Sequence, residues 1–425
     1  MLSRLVLLWL GLSLVNVAAG ANGLFCSALC RRRMSTCRST DACAGKFVCR
    51  GQYWPAYGTQ KPQAVDWSRT DIGYYFVSET DATGFNIPKG QSISALKTFV
   101  STAHSKRKKA VFTIGGWTGS RYFSDRVATS GNRTKLVAAI REFLVKYDFD
   151  GVDLDWEYPG SQGIGCNKVR ATDSANFLLF LKSLRATLGS KKLITAAIGA
   201  SGLIGTDGNP LTDMKAFGAV FDIINLMTYD VGGPWSPTSG PNCPLRTCNS
   251  DTSVMQVVQA FKKAGIPASK MMLGIPAYGY SYQLKSSTLA SKRIDGYVSR
   301  VYQAKTSTTP KGSKTDSNAT STDVCGVRSA SYSGMWNYVD LISEGILSSN
   351  GSVGHMGFTR YVDSCSATPF LFNPRTKVMI NYDDAYSAGQ KTAYAMSQGL
   401  KGVYTFDSAG FNTAVLKSIR NKLDA

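Results

Sequence analysis

Short apolar runs rich in Val, Ile and Tyr recur along the chain, separated by stretches whose apolar residues fall three and four apart. The runs predict strands near 47–54, 72–77, 110–116, 151–158, 193–201, 223–230, 271–278 and 402–407. The helical period marks 92–104, 133–147, 173–188, 251–264, 390–398 and a last helix at 416–423. Eight strands each followed by a helix read as α/β, a (β/α)8 TIM barrel, with a doubly wound open sheet as the alternative. The strand count and the acids at strand ends favour the barrel. From Tyr280 to about Asp384 the rhythm breaks into short apolar runs and a Ser/Thr/Lys-rich patch at 305–321. That stretch is too long for a barrel loop, and predicts a small α+β insertion subdomain (281–384) before the last barrel strand. No internal repeat and no Ser/Thr/Pro-rich linker to a further module is seen; the chain ends in the last barrel helix.

The start of the chain adds an address. Arg4, the apolar run 5–15 and small Ala18, Ala19 and Gly20 read as a secretory signal peptide over 1–20. The run is shorter than the ~20 residues a membrane span needs, so a secreted, extracellular, soluble monomer with no membrane partner is expected. Ten cysteines fit that compartment. Cys26, Cys30, Cys37, Cys43 and Cys49 mark a cysteine-rich extension (21–46) leading into the barrel from 47 to 425; Cys166, Cys243, Cys248, Cys325 and Cys365 lie beyond it. Both groups are odd, so at least one N-terminal cysteine pairs with the barrel or stays free; connectivity is not readable. Acceptor sequons start at Asn132, Asn318 and Asn350. The formal charge is +20, but the basic residues are scattered and the runs 31–33 and 106–109 are short. That reads as a soluble surface adhering weakly to acidic polymers, not as a nucleic-acid site. Two histidines, His104 and His355, give neither a zinc pattern nor an evident Ser-His-Asp triad, and no metal or cofactor is expected.

The candidate chemistry lies in Asp150-Gly151-Val152-Asp153-Leu154-Asp155-Trp156-Glu157. In a strand, Asp153, Asp155 and Glu157 share one face, and Val152, Leu154 and Trp156 the other. The apolar set would meet the helices, leaving three acids stacked inside the barrel toward its carboxyl-end mouth. Such acids cannot all ionise, and their pKa values spread apart. A solvated edge strand or a calcium loop is the bland alternative, but the turn glycine and trailing Glu of an EF-hand are missing. Glycoside hydrolysis needs a protonated carboxyl at the scissile oxygen. Glu157, uppermost, fits that role, with Asp155 and Asp153 sharing a proton beneath. No second carboxylate of this strand faces Glu157, which points to a nucleophile supplied by the substrate.

Extended through Phe149 to Pro159, this stretch resembles the signature of glycoside hydrolase family 18, the chitinases. Ala110-Val-Phe-Thr-Ile-Gly-Gly-Trp117 is similar to the family's third-strand motif, with Thr113 where serine is usual. Met227-Thr-Tyr-Asp230 matches the sixth strand and Gly274-Ile-Pro-Ala-Tyr-Gly279 the seventh. The loop from Gly232 to Asn242, carrying Trp235, resembles one in fungal members. The resemblance covers nearly the whole chain from about Val48. It implies that Glu157 protonates the glycosidic oxygen while the acetamido group of an N-acetylglucosamine unit attacks its own anomeric carbon. Asp155 would orient the amide, Tyr229 would bond its oxygen and Asp153 would tune Asp155. Water would then open the oxazolinium ion with retention, assisted by Glu157 as base.

Chitin and chitooligosaccharides present flat apolar faces and amide edges, which aromatic side chains at a barrel mouth suit. Gly116, Trp117, Tyr158, Met227, Asp230, Phe406, Tyr53 and Phe76 are the candidate sugar contacts, with Trp235 further out. Phe406 stands where the family usually carries tryptophan, a change worth ~1 kcal/mol of lost contact. Three other readings compete: a silent chitin-binding lectin on the same scaffold, which would usually lack Glu157; an endo-N-acetylglucosaminidase acting on N-linked glycans; and adhesion through the cysteine-rich extension, which reads better as a disulfide-stapled segment.

Overall fold

The computed structural model describes residues 48–88, 90–249 and 252–425. The signal and extension expected over 1–46 lie outside them. Eight parallel strands close into a barrel: β1 (Cys49–Pro55), β2 (Ile72–Thr80), β3 (Lys109–Gly115), β4 (Gly151–Asp155), β5 (Leu193–Gly199), β6 (Ile223–Met227), β7 (Met271–Pro276) and β8 (Gly402–Phe406). The ring closes because β1 pairs with both β8 and β2. At that seam a Cβ on Gly402 would fall 1.8 Å from the Cys49 carbonyl oxygen, so only glycine lets the two strands meet.

Helices α1 (Ile93–Ser105), α2 (Ser130–Tyr147), α3 (Asp173–Leu188), α4 (Lys215–Val220), α5 (Val254–Lys263), α6 (Ala385–Ser397) and α7 (Thr413–Leu423) surround the barrel. Side chains explain their starts. Thr129, Ser253 and Asn412 accept backbone N–H bonds as N-caps, and Asp384 with Ser387 forms a capping box for α6. On β4, Val152 and Leu154 face outward into the core; just beyond the strand Trp156 joins them, its ring stacked on Phe123 at 5.2 Å and edge-on to Phe177.

The structure corrects two details. β4 ends at Asp155, so Trp156 to Tyr158 belong to the loop above it. No helix follows β1; a single 3-10 turn, Pro62–Ala64, stands there. Residues 56–71 bury only Pro62, Val65, Trp67 and Thr70, too few for an amphipathic stripe, and Trp67 plugs the gap by packing on Phe99 of α1.

Between β7 and α6 the insertion forms a five-stranded antiparallel sheet in the order Met335–Asn337, Tyr278–Gln283, Val378–Asn381, Thr368–Asn373, Thr359–Asp363. A short helix, Tyr338–Ser343, and a small core around Tyr282, Val301, Phe370 and Met379 complete it. Disulfides Cys248–Cys365 and Cys166–Cys325 tie it to the loops after β6 and β4. Cys243 is a buried free thiol. Among the described residues no helix is long and apolar enough to cross a membrane.

Candidate active site

At the carboxyl ends of the strands lies a cavity of about 870 Å3. Asp155 and Glu157 open into it, as do Gly116, Trp117, Tyr158, Met227, Tyr229, Asp230, Phe76 and Phe406. β4 delivers the acids in layers. Asp153 is fully buried beneath the floor, and its carboxylate accepts bonds from Tyr53 Oη (2.8 Å), Thr113 Oγ1 (3.2 Å) and Thr195 Oγ1 (2.5 Å), with Asn225 Nδ2 at 3.5 Å. Burial still wins over these donors and pushes its pKa up to about 6. Asp155 sits one layer higher. Burial, then the charges of Glu157 and Asp153, hold it well above the usual carboxylate range. Its Oδ1 is buried and has no hydrogen-bond partner among the described residues.

Glu157 lies above the strand end, where Ser120 Oγ takes its backbone N–H (3.0 Å) and Asn167 Nδ2 donates to its carbonyl (2.6 Å). Its pKa is pushed up to about 7 by burial, with the charge of Asp230 adding and the Tyr158 hydroxyl opposing. The approach of β3 makes this crowding possible. Gly115 has φ 115°, and a Cβ there would lie 2.0 Å from the Asp155 carbonyl oxygen. The peptides Phe76–Val77, Glu157–Tyr158 and Phe406–Asp407, all on the cavity wall, are cis.

Tyr229 Oη is 3.1 Å from Tyr404 Oη. The Tyr404 proton goes to the Leu226 carbonyl (3.0 Å), so Tyr229 donates to Tyr404 until a better acceptor enters the cavity. Asp230, at φ 59°, takes the hydroxyls of Tyr278 and Tyr280 on one oxygen, both at 2.9 Å. The floor is aromatic: Phe406 lies 5.0 Å from Phe76, 5.6 Å from Tyr53 and 6.1 Å from Tyr229.

Two candidate contacts fall elsewhere. Tyr53 is 1 % exposed and lies under the floor, not in the cavity, because its ring is stacked on Tyr74 and its hydroxyl is spent on Asp153. Trp235 stands outside the lining, 62 % exposed and edge-on to Tyr280. Sequence reasoning missed Tyr278, Tyr280, Asn337 and Asp407, which do line the cavity. The alternation Tyr278-Gly279-Tyr280 was a legible signal for the first pair; nothing local marked Asn337. Among the described residues no group of three or more His, Cys, Asp or Glu could hold a metal.

A TIM barrel with stacked carboxyls and an aromatic floor at its carboxyl-end mouth suits glycoside hydrolysis. The family model "Glycosyl hydrolases family 18" matches residues 51–409, and the chain belongs to that family. It is 38% identical over 394 residues to a chitinase-like effector of Moniliophthora roreri, covering 90% of this chain and 94% of that protein. It is 32% identical over 372 residues to chitinase A1 of Niallia circulans, covering 84% of this chain and 47% of that protein. Among solved structures, the chitinase RmChi1 of Rhizomucor miehei matches with a TM-score of 0.80 at 30% identity, over 88% of this chain and 99% of that one.

Proposed function

We propose that the chain is a secreted chitinase that hydrolyses β-1,4 bonds between N-acetylglucosamine units with retention, Glu157 acting as acid and then base. The observation that carries the mechanism is the Asp155 carboxyl, which lines the cavity and whose buried Oδ1 has no hydrogen-bond partner among the described residues. An orphaned acceptor of this kind costs about 1–3 kcal/mol, recovered when a ligand N–H fills it. An acetamido group has one N–H and one carbonyl, and Tyr229 Oη offers a donor for the carbonyl. Held so, the carbonyl oxygen attacks the anomeric carbon as Glu157 gives its proton to the leaving oxygen. Water then adds to the oxazolinium ion, returning its proton to Glu157. Asp230 and Asp407 also line the cavity. Asp230 carries two tyrosine hydroxyls on one oxygen, and Asp407 takes the Ala409 N–H, which suits them to orientation rather than attack. Similarity to the chitinases of Niallia circulans and Rhizomucor miehei supports the substrate.

The test is dependence on the acetamido group. Fully deacetylated chitosan should resist cleavage at low and high salt alike, and a thiazoline analogue of the oxazoline should inhibit competitively. Cleavage between two glucosamine units would instead assign attack to Asp230 or Asp407. A second reading, chitin capture without turnover, is favoured by similarity to chitinase-like effectors of Moniliophthora roreri and Moniliophthora perniciosa. It predicts oligomer binding with no product, against which the intact Glu157 stands.

A further inference from the structure

In the closed ring β4 is the fourth strand, whereas the insertion leaves after β7 and returns before β8, so its root stands across the mouth from β4. Both sides wall the same cavity: Ser161 and Gln162 from the loop after β4, Met335 and Asn337 from the insertion. The Cys166–Cys325 disulfide, with Cα atoms 5.6 Å apart, joins these two sides covalently. Cys325 precedes Met335 by ten positions (325 to 335), and a chain of that length reaches ~33 Å when extended.

The linking segment is built to present that cysteine. Ser321–Thr322 pairs antiparallel with Arg328–Ser329. In the turn between them Asp323 Oδ1 accepts the N–H groups of Cys325 (2.8 Å) and Val327 (2.9 Å). Val324 and Val327 at the tip stay exposed, so the turn is not folded into a core of its own. At the other end, Cys166 adjoins Asn167, the buried residue that holds the Glu157 carbonyl.

We propose that residues 321–329, fastened by Cys166–Cys325, form a strap across the mouth that retains a long polymer chain in the cavity between cuts. The proposal rests on the chitinase reading. Under a covalent strap a chain leaves by sliding endwise; without it, the chain also leaves sideways. A dimer is short enough to leave either way. Affinity changes at one site appear mostly in dissociation, so the strap should slow release of long oligomers only.

The experiment compares the full chain with a Cys166→Ser/Cys325→Ser double variant, each also carrying Glu157→Gln for binding. Should the double variant fail to fold, Cys166→Ser with residues 323–327 deleted replaces it. Dissociation of end-labelled chitin hexamer should quicken at least ~10-fold in the unstrapped protein, while that of the dimer stays unchanged. With Glu157 present, the unstrapped protein should turn over chitin trimer normally but release fewer soluble ends per cut made on insoluble chitin. Equal hexamer dissociation overturns the proposal. So does an equal loss of trimer turnover without a change in dissociation, which would make the disulfide a support for Glu157 alone. A strapped protein that binds hexamer without cutting it removes the chitinase reading and leaves the binding arm decisive; one that binds no hexamer overturns both.

Discussion

Tyr53→Phe deletes one oxygen beneath the floor and nothing in the cavity. Tyr53 Oη donates to Asp153 Oδ2 at 2.8 Å and accepts from Asn225 Nδ2 at 3.0 Å. Its loss leaves Asp153 with one donor fewer, and Asn225 Nδ2 with only a 3.5 Å approach to the same carboxylate. A hydrogen bond to a charged group contributes roughly 1.5–3 kcal/mol. Taking the lower figure at 1.36 kcal/mol per pKa unit, first ionisation of the Asp153–Asp155 pair becomes about one unit harder. That ionisation belongs first to Asp153, which has the donors, rather than to Asp155, which has an empty oxygen. The assay is kcat/KM on chitin tetramer against pH. The basic limb reports Glu157, at about 7, and should not move. The acid limb, set by the pair with Asp153 at about 6, should rise until the limbs meet, lowering the maximum about two-fold. The melting temperature should fall by a few degrees, since each kcal/mol is worth roughly 2–4 °C in chains of 150–250 residues and less in longer ones. KM should not change. An unmoved acid limb would refute the transfer of charge through this bond, and a raised KM with unmoved limbs would place Tyr53 against the sugar after all.

Phe406→Trp should lower the melting temperature without raising kcat/KM. The rings of Phe76, Tyr53, Tyr229 and Tyr278 stand 5.0, 5.6, 6.1 and 6.4 Å away; overpacking costs about 1–3 kcal/mol, against ~1 kcal/mol of added sugar contact. A higher kcat/KM at unchanged melting would show room beside Phe406. The protein should also melt higher at pH 5 than at pH 8. His104 is raised by its hydrogen bond to Asp150, so its contribution is complete below ~6.5, the unfolded value, and is lost as pH climbs through the folded one. Asp153 and Asp155 are raised as well, favour the protonated fold, and lose stability over the range starting near ~3.9 and rising. His104→Gln should flatten the upper part of this slope, and a flat profile in the native protein would contradict both assignments.

The barrel was legible because its strands are buried on both faces and read as apolar runs, while six helices showed the helical period. α4 escaped because only Phe217 and Gly218 of its six residues are buried. The site was legible where residues neighbour one another in the chain, as Asp153, Asp155 and Glu157 do. It was not legible where depth decides the role. Tyr53 and Phe76 occupy equivalent-looking strand ends, yet one ring stacks on Tyr74 under the floor and the other reaches the cavity. Nor could spacing show that Cys166 would find Cys325 across 159 residues, since that pairing depends on where the insertion folds.

The decisive measurement follows the anomers released from chitin hexamer by proton NMR, with native protein and with Glu157→Gln. Neighbouring-group attack with Glu157 as acid and base requires β-anomer to appear first in the native reaction and to mutarotate slowly afterwards. The variant should still bind hexamer and release at least ~100-fold less product. Initial α-anomer, or near-native turnover in the variant, would contradict the mechanism at its central residue.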